Sequence, residues 1–119
     1  MNPTDKQALQ DAGIDVDGAL ERFMGSEALL VRFLGKFPDD PNFSALEAAV
    51  DAGDCDAAFT AAHTLKGVCG NLSMTALFDT VSRQTELLRS GDLAAAAGMM
   101  DTLRSQYQTV CSAIGAALG

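Results

Sequence analysis

Apolar residues along this chain return every three or four positions, and no segment alternates apolar and polar for long. A period near 3.6 marks amphipathic helices. The C-terminal stretch is the clearest: Leu93, Ala97, Met100, Leu103, Tyr107, Val110, Ile114 and Ala117 predict one long last helix. Before it, Met74, Leu77, Val81 and Leu88 make the stripe of another helix, which Ser90-Gly91-Asp92 stops. A longer helix is predicted from about Cys55 to Leu72, after the turn Ala52-Gly53-Asp54, with Asp54 as N-cap and Asn71 and Ser73 as punctuation. Upstream, Asp15 or Asp17 caps a short helix carrying Ala19, Leu20, Phe23 and Met24 on one face, and Gly25 ends it. Ser26 caps the next, which buries Leu29 or Leu30, Phe33, Leu34 and Phe37. Pro38-Asp39-Asp40-Pro41 breaks or kinks that helix. Ser44 and Glu47 then have capping-box spacing for a segment with Leu46, Ala49 and Val50 inward. Residues 1–12 read as a polar N-terminal arm or a short helix. The fold expected is all-α: one domain over residues 1–119, an antiparallel four-helix bundle (up-down-up-down) with a short additional N-terminal helix.

Composition agrees with helix packing. Apolar residues are 48% of the 119, aromatics only 6%, and there is no Trp. Sixteen acidic against eight basic residues give a formal net charge of −8. That argues against non-specific nucleic-acid binding, which needs a basic patch, and against an anionic membrane surface. No apolar run approaches the roughly 20 residues of a membrane span, and the first residues lack a signal-peptide pattern. Cys55, Cys69 and Cys111 are odd in number and match no zinc spacing, which points to free thiols in a reducing, cytoplasmic setting. Cys69 falls in the core stripe, and Asp54 and Asp56 read as cap and dipole partners. The five Met residues read mostly as core filling.

The candidate chemistry lies on the Cys55–Leu72 helix. At about 100° per residue, Ala58, Ala61, Ala62, Leu65, Val68, Cys69 and Leu72 share one side. Asp56, Thr60, His63, Lys66, Gly67 and Gly70 share the other, so the chain's only histidine faces away from the core. Gly67 and Gly70 follow it by one and two turns. Each interior helical glycine costs about 1 kcal/mol relative to alanine, so two beside one histidine suggest that a close approach there is useful. A neutral imidazole is a good nucleophile. The Lys66 ammonium offsets the charge of an added phosphoryl group. Spacing alone leaves an ordinary surface histidine open as the alternative. Phe59 flanks this face near Lys66 and is a candidate part of a docking surface.

The stretch Ala62-His63-Thr64-Leu65-Lys66-Gly67-Val68-Cys69-Gly70-Asn71-Leu72 closely resembles the motif of histidine-containing phosphotransfer (HPt) domains, His-x-x-Lys-Gly within Ala-His-x-Leu-Lys-Gly. The wider layout is similar from about Asp15 to the C-terminus: a first helix ending in Arg22-Phe23-Met24-Gly25, the Phe37-Pro38 break, three further helices, and Leu77 at a core position. The resemblance implies a four-helix bundle with His63 exposed midway along one helix. It implies that His63 takes a phosphoryl group on Nε2 from a receiver-domain phosphoaspartate and passes it to the aspartate of another receiver. Lys66 would steady the phosphoryl group, and Gly67 and Gly70 would keep the site open. No cofactor is implied here, since the magnesium belongs to the partner receiver. Ser73 stands where many members have glycine, and reads as an N-cap for the next helix. Gln84 is the candidate for a hydrogen bond to the imidazole, with an ordinary boundary glutamine as the alternative; Thr85 and Glu86 are weaker candidates for that place.

The partners implied are response-regulator receiver domains and a sensor or hybrid histidine kinase, with no nucleic acid and no membrane, and with a monomer as the default. The chain has no glycine-rich nucleotide loop, so a phosphotransfer intermediate without kinase activity of its own is expected. Met1 and a full set of helices favour a standalone protein over a piece of a hybrid kinase. Two other classes compete. A pure adaptor would dock on a receiver or kinase and carry no phosphate. A metal or haem bundle would need more than one histidine or a paired Glu-x-x-His pattern, and neither is present.

Overall fold

The computed structural model describes residues 1–119 and is helical throughout. In chain order the helices are α1 (Pro3–Asp11), α2 (Val16–Arg22), α3 (Glu27–Lys36), α4 (Asn42–Asp51), α5 (Cys55–Asn71), α6 (Thr75–Arg89), α7 (Leu93–Ala97) and α8 (Met100–Leu118), with one 3₁₀ turn at Phe37–Asp39. Local chemistry sets most of the starts. Asn2, Asp15, Ser26, Asp54 and Asp92 each accept a hydrogen bond from the backbone N–H three residues on, satisfying an end that would otherwise be bare. The polar N-terminal segment is a helix, and it packs against α8.

Twenty-five buried apolar residues form one continuous cluster. At its centre α5 packs most extensively against α4 and α6. Its inward face is Ala58, Ala61, Ala62, Leu65 and Cys69, all buried as the 3.6-residue period predicts, with Val68 half-buried at the edge. Small alanines let neighbouring helices come close without voids. Cys55 near the start of α5 meets Leu88 near the end of α6. Gly70 near the end of α5 meets Phe78 near the start of α6, so the two helices run in opposite directions. The same holds for α4 and α8, where Phe43 stacks on Tyr107 at 4.1 Å and Glu47 pairs with Arg104 at 2.8 Å. The links before α2 and before α6 are tied by backbone hydrogen bonds: Asp15 N–H donates to Ser73 O at 2.8 Å, and Thr75 N–H donates to Gly13 O at 2.9 Å.

Five expectations need correction. The last helix is two: α7 ends at Ala97, and Gly98-Met99 turns before α8. Ser44 does not cap α4, which starts earlier at Asn42, where Asp40 Oδ1 accepts from the Asn42 backbone and side chain; Glu47 serves the Arg104 ion pair instead. Met24 lies off any core face, 94% exposed, in a left-handed conformation (φ +55°). It and Gly25 (φ +77°) form the tight turn out of α2. Phe33 is 43% exposed rather than buried, because α3 turns only Leu30 and Leu34 fully inward. Ser73 is not an N-cap. It has φ +52°, the left-handed region, which explains why glycine suits that position; its hydroxyl accepts from Arg22 Nη1 at 2.8 Å.

Burial also sets the alkaline behaviour. Desolvation, with a smaller contribution from the Asp40 charge, pushes the Cys69 thiol up to about 12. Burial raises Tyr107 and Cys111 as well. A folded pKa above the unfolded one means the folded state holds protons that the unfolded state has lost. The stability contribution of Cys69 is therefore complete below the ordinary thiol value and declines as pH rises toward about 12, by about 1.4 kcal/mol per pH unit. Urea midpoints should fall steeply above that ordinary value, and Cys69→Ala should flatten part of the slope. Met24→Gly should stabilise the fold by about 0.5–1 kcal/mol, because glycine relieves the left-handed backbone at a position with almost no side-chain contacts to lose. A higher urea midpoint with an unchanged slope is the result to look for.

Candidate functional site

The outward face of α5 presents His63, exposed, midway along the helix. The residues one and two turns on complete a shallow open depression of about 360 Å³, lined by Arg22, His63, Lys66, Gly67, Gly70, Asn71 and Phe78. The structure thus brings together His63, Lys66, Gly67 and Gly70, as their spacing predicts. Helical periodicity alone does this, since the four lie within two turns of one face.

The two glycines differ in what they do. A Cβ at Gly67 would meet nothing within 4 Å. The chain's own packing does not require glycine there, and its absence of side chain leaves the backbone bare toward solvent. A Cβ at Gly70 would lie 3.2 Å from Cε2 of Phe78. Gly70 therefore has an internal task beyond open approach: it lets the Phe78 ring of α6 lie down on α5. Lys66 Nζ sits 6.0 Å from the centre of that ring, a cation–π distance that holds the ammonium over the depression. Phe78 is thus the aromatic ring over which Lys66 sits.

Phe59 lies one turn before His63, and its ring stacks on the imidazole, with centroids 5.8 Å apart and planes 14° apart. No hydrogen bond to another residue holds the imidazole. The expected bond from Gln84 is absent. Gln84 is fully buried on the core stripe of α6, and its Nε2 donates to Ala96 O at 3.0 Å and contacts Met100 Sδ at 2.9 Å. It sits beside the break between α7 and α8, adding a second donor to the Ala96 carbonyl, which also accepts from Met99 N–H at 3.1 Å. Thr85 is buried and donates to Val81 O, and Glu86 is exposed beside Arg89, so neither replaces it.

Arg22 is the residue the sequence reading missed as chemistry. Its Nη1 donates to Gly70 O and to Ser73 Oγ, which fixes a guanidinium from α2 at the end of α5. It adds a second cation to a depression on a chain of net charge −8. Only the fold joins positions 48 residues apart. Beyond Arg22 and Asn71 the depression opens into a larger groove of about 510 Å³, lined by Phe23, Phe33, Phe37, Val68, Leu72 and Lys36 among others. Phe23 and Phe33 pack with centroids 5.3 Å apart, and Lys36 lies over Phe33 at 5.7 Å. The thiol of Cys69 is on the opposite face, buried and held protonated. No helix is long and apolar enough to cross a membrane.

An exposed imidazole, two cations, a bare backbone and an adjoining apolar groove suit transfer of an anionic group between docked proteins. Comparison with known proteins bears on which group. Searches of curated proteins and of solved structures give no match. The Hpt domain family matches residues 28–113, well over half of the chain, and that span contains α5, α6 and the whole His63–Gly70 segment. The chain belongs to the Hpt domain family, the histidine phosphotransfer domains of phosphorelays.

Proposed function

We propose that His63 is the phosphoryl-accepting residue of this chain, taking the group from a receiver-domain phosphoaspartate and passing it to a response-regulator aspartate. The observation that carries the reading is the single histidine of the chain, exposed on α5 with Lys66 and Gly67 beside it. In the first transfer the lone pair of the imidazole Nε2 forms the N–P bond while the acyl O–P bond breaks, and the aspartate leaves as a carboxylate. The second transfer reverses these bonds on another receiver. Such transition states are loose, with charge spread over the phosphoryl oxygens, so positioning and cations supply most of the rate. Lys66, over Phe78, faces the transferred group, and Gly67 admits the partner's surface to the helix. The partner receiver supplies the magnesium, and this chain needs no cofactor of its own.

The remaining features fit the same reading. The groove of Phe23, Phe33 and Phe37 beside the site offers apolar surface for a docked receiver, and Arg22 and Lys36 suit its acidic active-site rim. We take the chain as one domain whose main helices form an antiparallel bundle, acting in the cytoplasm as a monomeric carrier without autonomous kinase activity.

The test is phosphotransfer from labelled receiver domains, read on wild type, His63→Gln and Lys66→Ala. Wild type should acquire acid-labile, base-stable label, and His63→Gln none. Lys66→Ala should slow single-turnover transfer about tenfold, the equivalent of about 1.4 kcal/mol, with receiver affinity nearly unchanged. A folded wild type that binds a receiver and takes no label from any of them would replace this reading with the adaptor.

A further inference from the structure

His63 is exposed to solvent, and no hydrogen bond fixes its two side-chain torsions. What does touch the ring is a layered stack. Phe59 lies against one imidazole face at 5.8 Å and 14°. The guanidinium of Arg89, at the end of α6, lies 5.0 Å from the centre of the same phenyl ring. Arg89 is itself steadied by Glu86 one turn earlier, at 3.3 Å. Two helices thus contribute to a clamp that ends on the imidazole.

From this geometry we infer that Phe59, backed by Arg89, is a positioning residue that sets the orientation of the His63 ring for phosphoryl transfer. The inference rests on His63 being the phosphoryl acceptor. Stacking suits that task better than a hydrogen bond does. A hydrogen bond would occupy one ring nitrogen and fix the tautomer. A phenyl ring stacks on a face of the imidazole, while the in-plane lone pair of one nitrogen and the in-plane N–H of the other stay open. The attacking nitrogen therefore remains free in both directions of transfer, and the ring keeps one favoured rotamer without a partner bound. Aromatic pairs of this kind shift a rotamer equilibrium by about three- to tenfold. Holding the nucleophile in its attack orientation enters the rate in the same proportion. Arg89 keeps Phe59 itself from swinging away through its cation–π contact, and the pair binds no substrate.

The experiment compares wild type with Phe59→Leu, Phe59→Tyr and Arg89→Gln, using one phosphorylated receiver domain that labels wild type. Two readouts are taken: the ring-proton chemical shifts of His63, and the single-turnover transfer rate at saturating and sub-saturating receiver. Phe59→Leu should remove the upfield ring-current shift of the His63 protons. It should slow transfer about three- to tenfold at saturation while leaving the half-saturating receiver concentration unchanged. Phe59→Tyr should keep both the shift and the rate. Arg89→Gln, at an exposed position, should give a smaller loss of each. A Phe59→Leu protein that transfers at the wild-type rate overturns the inference and leaves the carrier reading standing. So does a Phe59→Tyr protein as slow as Phe59→Leu. A wild type that accepts no label from any receiver overturns both.

Discussion

The alanine face of α5 is the constraint on which the rest of this structure depends. Ala58, Ala61 and Ala62, with Leu65 and Cys69, seat the helix between α4 and α6. Once that face is buried, a period of 3.6 residues forces Thr60, His63, Lys66, Gly67 and Gly70 to the other side. His63 is exposed because its helix is packed. Replacing the small residues with larger ones would move the helix outward and change the height of the histidine above the surface.

The second level of order comes from contacts that link other helices to this one. Phe78 of α6 lies on Gly70 and carries Lys66 above it. Arg22 of α2 donates to the Gly70 carbonyl and the Ser73 hydroxyl where α5 ends. Phe59 and Arg89 close the opposite end of the His63 face. Each of these is a modest interaction on an exposed surface. Together they place three cations and two aromatic rings about the face of an imidazole that makes no hydrogen bond of its own. The arrangement leaves the nitrogen atoms open and the surroundings fixed, which suits the phosphoryl transfer proposed for this site.

Much of this was legible in the chain itself, wherever the information was local. The inward and outward faces of α5 follow from spacing alone, as do the caps at Asp54 and Ser26. The His63–Gly70 segment carried the family resemblance without help from the fold. What was not legible depended on residues far apart. Gln84 looked like a polar residue at the edge of a stripe facing the histidine; only the packing of α6 against α7 and α8 turns its amide inward, onto Ala96 O and Met100 Sδ. A continuous apolar period hid that break, because Gly98 interrupts the backbone without interrupting the stripe. Ser73 and Met24 adopt left-handed backbone that sequence gives no sign of in a non-glycine residue. Arg22 and Phe78 needed the packing of α2 and α6 on α5 before they could be placed at the site.

The most direct measurement is phosphorus NMR of the protein, correlated with its imidazole protons, after incubation with a phosphorylated receiver domain. The account predicts a single phosphoramidate resonance that correlates with the ring protons of His63 through Nε2. A protein-bound signal with the character of an acyl phosphate or a phosphate ester, uncorrelated with His63, would contradict it.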